Sequence, residues 1–556
     1  MAAYSGSESV GGRALRLAVV GLFAAMIALA GLRSLPPLDR DEARFAQATA
    51  QMLESGDYIA IRFQDDERNK KPAGIHWLQA ACVALFSDVE KREIWAFRLP
   101  SMLGAILAAV FTYLAGARLY GPQTGFLAAL LLAAAPVFAG EATIAKTDAM
   151  LLACVCAAQA AFIHVFARWN DDEDAGLAWP LVFWAALGAG VLIKGPIAPL
   201  VVLLTGAAFF WRARDVGWIV ALKPLMGVII LVLMIAPWAA AVGAATEGRF
   251  YSEALGGDML GKIGSAQESH AGPPGYHLLL LPVLLWPAAA LIAPGFIQAL
   301  ATRRAWPSWF LLSWIAPAWI VFELTATKLP HYTLPLYPAI AILAARAASL
   351  GAGARRPIVR RVGAGLYALT GLAAAGAAVA LPALFGADGA EGPAALFALL
   401  IAGAALLGAL TFWSGRCYEG GLVAALAGLL LAWAALTAVL PKLERLEISP
   451  RLSAALDDDD LHPLKDGAPP VALAGYAEPS AVFLLGTQTV LTDGAGAFEH
   501  LAATGGAAVV EKREEAAFLA AAAHSGATPR GLATIDGLNY SNGRETTLVV
   551  WRLSSR

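Results

Sequence analysis

Charged residues gather at the ends of apolar runs in this chain, and their types suggest a chemistry. Asp41 stands in "PPLDRDEARFAQ", Lys70 and Lys71 in "NKKPAG", and Lys146 and Asp148 in "AKTDAM". Lys194 stands in "LIKGPIAPL", and Lys328 with Tyr332 in "TKLPHYTLPLYP". Lys262 and His270 fall in a long polar loop between two apolar runs. A ring of ammonium groups at a membrane surface suits an anionic headgroup, above all a phosphate or diphosphate on a lipid. Carboxylates and an imidazole on the same side complete an inventory suited to group transfer from a lipid-phosphate donor. Each residue also has a plainer reading. The lysines could snorkel as helix ends, Asp148 could be neutralised by Lys146 or an arginine, Tyr332 could be an interfacial aromatic, and His270 could be simply solvated. Asp39 could cap a helix with Glu42 three residues on, a capping box closed by Ser55-Gly56.

The elements that must position these groups are membrane helices. The chain has 556 residues, of which 58% are hydrophobic and only 15% charged, whereas soluble domains run nearer 25% charged. A net charge of −2 leaves no basic footprint for nucleic acid. Cys82, Cys154, Cys156 and Cys417 show no metal-type spacing and no disulfide framework. The first apolar run reads as a retained membrane helix rather than a signal peptide. Thirteen runs qualify as spans, from Leu17–Leu32 to Gly421–Leu440, and the shorter run Ala73–Phe86 reads as interfacial or re-entrant.

Arginines then set the orientation. With the N-terminus inside, the inner loops collect Arg118, Arg168, Arg212, Arg214, Arg303, Arg304, Arg416 and the cluster Arg355, Arg356, Arg360 and Arg361. The lysines above fall outside. The expected organisation is a polytopic α-helical membrane domain over residues 1–440, with outer loops 33–98 (bearing interfacial helices) and 243–275. A small α/β extracytoplasmic domain follows over 441–556. Its expected pieces are strands at "PVALAGY" and "AAVVE", a helix at "EEAAFLAAAA" and a hairpin turning at Asn542-Gly543.

The motifs "DRDEARFAQATAQMLESGDY", "NKKPAGIHWLQA", "KTDAMLLA", "LIKGPIAPL" and "TKLPHYTLPLYPAIAILAA", in that order and on one face, resemble the membrane-embedded GT-C glycosyltransferases. The nearest branch is the bacterial enzymes similar to protein O-mannosyltransferases and to the lipid A aminoarabinose transferases. The resemblance implies inverting transfer of a sugar from a polyprenyl (undecaprenyl) phosphate to an acceptor at the periplasmic face of a bacterial inner membrane, with the C-terminal domain on that same side. It makes Asp41 the presumed catalytic carboxylate, with Asp148 beside it. Lys70, Lys71, Lys194, Lys328 and Tyr332 are then expected at the donor phosphate, and Arg40, Glu42, Arg44 and His270 in support. Lipid A or lipopolysaccharide is the first acceptor implied, with 4-amino-4-deoxy-L-arabinose as the sugar, by a chain acting as a monomer among membrane lipids. Relatives commonly carry Glu-Lys-Pro where this chain has Lys70-Lys71-Pro72. That departure argues against a bound divalent metal, for which Asp41 and His270 remain the only candidate ligands.

Other readings stand beside it. The acceptor could be Ser or Thr of exported proteins, or the sugar galacturonic acid. From another class, the chain could be a transporter or flippase of lipid-linked sugars. A transporter places ionisable groups near the midplane on broken helices and shows internal repeats. Here the spans are nearly free of charge, no repeat is evident, and the charges collect at one face.

Overall fold

Apolar runs of about twenty residues fold as helices because a backbone in lipid must satisfy its own hydrogen bonds. The computed structural model describes residues 10–213, 216–260, 272–351, 356–386 and 391–554. In chain order the first half runs α1 (Val10–Leu32), α2 (Asp41–Ser55), β1 (Arg62–Phe63), β2 (Asp66–Glu67), α3 (Gly74–Phe86) and α4 (Ile94–Tyr120). It continues with α5 (Pro122–Ala133), α6 (Pro136–Ala142), α7 (Asp148–Asn170), α8 (Ala178–Lys194) and α9 (Ile197–Ala213). Among the described residues eight helices are long and apolar enough to cross a membrane, or ten when each of two bent pairs counts as one span. The bent pairs are α5 with α6, at 68°, and Tyr276–Leu284 with Trp286–Ala301, at 88°. Pro136 and Pro287 stand at these breaks, where a proline deprives the preceding turn of a donor. The protein is a multi-pass membrane protein. The thirteen expected runs fall mainly on helix, but the count differs: Gln123–Gly140 is broken between α5 and α6, α8 and α9 are shorter apolar helices, and Tyr337–Ser349 follows a 3-10 turn, Pro330–Leu336.

α7 is the axis of the bundle. Its apolar window is 94% buried, against 17% for the lipid-facing helix Pro224–Ala245. Close approach there depends on a small residue. A Cβ on Gly104 of α4 would lie 2.7 Å from the backbone of Ala149 and Met150 in the first turn of α7.

α2 lies outside the spanning set and starts at Asp41. It ends where Gly56 takes a left-handed φ of 72° and its N–H bonds back to the Met52 carbonyl. Its other end departs from the expected capping box. Arg40 holds the N-cap position without a side-chain cap bond, because the Asp39 carboxylate is taken by Ser480 of the C-terminal region. The other half does not form either: Glu42 Oε2 accepts the Leu38 N–H at 2.9 Å, while the Asp39 N–H goes to the Tyr540 hydroxyl.

The C-terminal region builds a five-stranded sheet in the order β4-β3-β5-β7-β6, from β3 (Ala472–Ala474), β4 (Val490–Thr492), β5 (Ala508–Glu511), β6 (Pro529–Asn539) and β7 (Arg544–Leu553). β3 pairs parallel with β4 and β5, while β5–β7 and β6–β7 are antiparallel. The β6–β7 hairpin turns at Asn542-Gly543, with Gly543 at φ 73°. Alternation along β5 sends Val509 to one apolar core with Leu452, Leu473 and Leu548, and Val510 to another with Phe498 and Phe518. The short helix Pro479–Leu485 meets α2 and α4, where Phe483 packs edge-on against Phe97 at 5.3 Å.

Candidate active site

The segment 143–147, between α6 and α7, is too short to span anything and is shaped by its neighbours. Ser101 Oγ donates to the Ile144 carbonyl at 2.6 Å, and Glu42 Oε1 accepts the Ala145 N–H at 2.7 Å. A Cβ on Gly31 would meet Thr143 at 2.8 Å, so α1 leaves no slack on that side. So held, the segment presents Lys146 and the first residue of α7, Asp148, to the end of α8. Lys194 Nζ donates to Asp148 Oδ1 at 2.6 Å, and Lys146 Nζ lies 3.0 Å from Glu141 Oε1 and 3.7 Å from Asp148 Oδ2. His331 completes the cluster, 3.7 Å from Glu141 and 3.8 Å from Asp148, both beyond hydrogen-bond length. All five side chains are largely buried, and among the described residues Glu141 Oε2 has no hydrogen-bond partner.

Burial alone would lower the affinity of Lys146 for its proton, but the Glu141 and Asp148 carboxylates outweigh it and leave the ammonium firmly charged. Burial pulls His331 down to about 3 despite the opposing pull of Asp148, so its imidazole is neutral near pH 7. Asp41, the first residue of α2, contributes to the electrostatics of both Lys146 and His331. Its own side chain is exposed and, among the described residues, has no hydrogen-bond or ion-pair partner. The arrangement is an exposed carboxylate acting on buried ammonium groups. It can hold a phosphate against the cations while the carboxylate serves the reacting carbon or an acceptor proton.

The remaining expected residues divide. Lys71, half-buried, precedes α3, whose Gly74 touches α8 so closely that a Cβ would lie 2.6 Å from the Leu192 carbonyl oxygen. The backbone three residues after Lys71 therefore lies against the helix that ends in Lys194. Tyr332 stands beside His331, ring centroids 5.3 Å apart. Lys70 is exposed and Arg44 half-buried. Lys328 is buried and donates to the Gly272 carbonyl at 3.2 Å. His270 lies outside the described residues, as does Lys262. Arg40 is not at the cluster but pairs with Glu478 at 3.3 Å. Glu42 is wholly buried and binds Arg98, so its part is to tie α2 to α4 and to the segment before α7.

Sequence reasoning passed over Glu141, His331 and Arg98. Each carried a signal: Glu141 interrupts the apolar run "APVFAGEATIA", His331 lies inside a motif already singled out, and Arg98 interrupts the apolar stretch "IWAFRLP". Of the two candidate ligands for a metal, Asp41 is exposed and His270 lies outside the described residues. Among the described residues no group of three His, Cys, Asp or Glu could hold one, and the buried carboxylates are engaged by lysines.

Known proteins can now be set beside this geometry. Residues 70–240 match the family model described as dolichyl-phosphate-mannose-protein mannosyltransferase. The undecaprenyl phosphate-alpha-4-amino-4-deoxy-L-arabinose arabinosyl transferase 2 of Pseudomonas fluorescens is 29% identical over 308 residues, 54% of this chain and 51% of that protein. The corresponding transferase of Yersinia pestis is 26% identical over 330 residues, 59% of this chain and 58% of that one. The chain thus matches between half and three-fifths of the length of these relatives. Among solved structures, ArnT from Cupriavidus metallidurans bound to undecaprenyl phosphate superposes with a TM-score of 0.71 at 20% identity, covering 98% of both chains. The fold is therefore the GT-C fold, and the resemblance read from the motifs holds.

Proposed function

We propose that this chain is an inverting glycosyltransferase that moves a sugar from a polyprenyl phosphate to an acceptor at the periplasmic face, with its N-terminus and arginine-rich loops cytoplasmic. The observation that carries the reading is the buried Lys146–Asp148–Lys194 cluster, whose electrostatics the exposed carboxylate of Asp41 reaches. The matched relatives, named as aminoarabinosyl transferases that use undecaprenyl phosphate, favour 4-amino-4-deoxy-L-arabinose as the sugar and lipid A as the acceptor.

In this mechanism an acceptor oxygen attacks the anomeric carbon as the bond from that carbon to the donor phosphate breaks, so configuration inverts. The departing lipid phosphate gains negative charge, and Lys146, Lys194 and Lys71 stabilise it. A preorganised cation in a site shielded from water is worth about 100-fold in rate. Asp148 holds Lys194 and Lys146 in place. If the acceptor is a phosphate, already ionised, Asp41 orients it or offsets positive charge at the anomeric carbon. If it is a hydroxyl, Asp41 takes its proton. No step requires a metal.

The test is transfer from undecaprenyl phosphate-linked aminoarabinose to lipid A by the purified protein, read by mass spectrometry. Wild type should transfer, and Asp41→Asn should lose about 100-fold or more while staying folded. Sugar appearing instead on exported proteins, or from a galacturonic acid donor only, would replace the acceptor or the sugar. Movement of the lipid-linked sugar across vesicles without transfer would overturn the enzyme reading.

A further inference from the structure

Three of the four residues in Asp39-Arg40-Asp41-Glu42 are held by side chains from elsewhere in the chain, and two of the three are held by the C-terminal domain. Ser480 donates twice to Asp39, from its N–H to Oδ1 at 2.8 Å and from its hydroxyl to Oδ2 at 2.5 Å. The Asp39 N–H donates to the Tyr540 hydroxyl at 2.6 Å. Arg40 Nε donates to Glu478 Oε2 at 3.3 Å, and Asn539 Nδ2 secures the other oxygen of that carboxylate at 2.8 Å. Glu478 and Ser480 are themselves buried, and Ser480 is locked by Ser449 at 2.6 Å, which also bonds Tyr476 at 2.9 Å. On the far side Glu42 is fixed by Arg98. Among the described residues only Asp41, between these anchors, presents an unengaged carboxylate.

We propose that the C-terminal domain is a working part of the active site: Glu478 and Ser480 are positioning residues that grip Asp39 and Arg40 and thereby aim the Asp41 carboxylate. The inference rests on the reading of Asp41 given above. A domain that merely sat on the membrane region would need surface contact somewhere, and it has such contacts away from this point. Gln64 Nε2, for example, donates to the Thr489 carbonyl at 2.6 Å. Contacts at Asp39 and Arg40 are different in kind. They act on the backbone directly before the reactive side chain, where a displacement of about 1 Å costs about 100-fold in rate.

The experiment compares Glu478→Ala, Ser480→Ala and Gln64→Ala in the full-length protein in detergent or nanodiscs. In the transfer assay the first two should lower kcat by about 10- to 100-fold with the KM for the lipid-linked donor unchanged, because the lysines that hold the phosphate are untouched. Glu478→Gln, whose single amide oxygen can accept from Arg40 or from Asn539 but not from both in place, should fall between wild type and Glu478→Ala, and Gln64→Ala should leave kcat alone. By hydrogen exchange, Glu478→Ala and Ser480→Ala should speed exchange at residues 38–46 at least tenfold while strands β5 and β7 stay protected. An equal effect from Gln64→Ala, a rise in KM that matches the fall in kcat, or unchanged exchange at residues 38–46 would overturn the proposal. So would loss of protection throughout the domain in both alanine variants. If wild type transfers no sugar, the functional reading falls, and the exchange measurement still decides whether the grip exists.

Discussion

Two buried charge groups lie within a few residues of each other in this molecule, and they are built on opposite plans. In the first, Glu42 and Arg98 are both fully shielded from solvent. Glu42 accepts from Arg98 Nε and the Ala145 N–H on one oxygen, and from Arg98 Nη2 and the Leu38 N–H on the other. Arg98 spends its remaining donors on the carbonyls of Gly31, Leu32, Leu35 and Pro36. No hydrogen-bonding capacity is left over. In the second, Glu141 keeps an oxygen without a partner, and His331 stands too far from either carboxylate to bond. The first group is finished and can only hold the structure together. The second retains capacity that a ligand can use, at the stability cost that incomplete pairing brings.

That contrast can be broken or sharpened by substitution. The largest effect is expected from Arg98→Met, which strands Glu42 and uncaps the carbonyls of the segment after α1. Removing one partner of a buried pair costs about 3–5 kcal/mol, so the variant should melt far below wild type in a thermal-shift assay or fail to accumulate. Lys194→Met should do the reverse. Transfer should fall by about 100-fold, while the melting temperature moves much less, because Lys146 still faces Asp148. If Lys194→Met destabilised the protein as strongly as Arg98→Met, the distinction between the groups would fail.

Asp39 lies between these extremes. Burial raises its carboxyl to about 6 from the ordinary 3.8, against the pull of its Ser480 hydrogen bonds, with Glu478 and Arg40 opposing each other and the Tyr476 and Tyr540 hydroxyls nearby. The folded state therefore prefers the protonated acid. Its contribution is complete below about pH 4 and is lost as pH rises through 6. Asp39→Asn, which cannot ionise, should remove that step and stabilise the protein at pH 7 by about 1–2 kcal/mol. Melting temperature followed from pH 4 to 8 reads this directly. The smallest effect is expected from Glu141→Gln. One oxygen of Glu141 already has no partner, and an amide oxygen can still accept from Lys146, so stability should change by less than about 1 kcal/mol in the same assay.

The sequence could be read furthest where chemistry coincides with a helix end. Asp148 and Lys194 each open or close an apolar run, so their placement marked them; the strands β3 and β5 and the hairpin at Asn542-Gly543 were also expected, while β4 was not. It was least legible where a partner is remote in sequence. A local rule assigned Asp39 to a helix cap, but Ser480 competes for the same carboxylate across 441 positions. Glu42 looked like a neighbour of the chemistry until Arg98 claimed it. His331 and Glu141 meet only because the 3-10 turn after Lys328 and the bend between α5 and α6 converge, and neither bend is written in periodicity.

Arg98 also bears on how the protein is made. The carbonyls that end α1 and begin its exit segment are completed by a side chain more than sixty residues downstream. During synthesis the first helix therefore enters the bilayer with its trailing end unfinished, and it can settle only when α4 arrives. We expect ribosome-bound chains halted before Arg98 to leave single cysteines introduced at residues 31–36 open to an aqueous thiol reagent, and chains halted beyond α4 to protect them. Equal labelling at both lengths would show that the exit of α1 is shaped without its later partner.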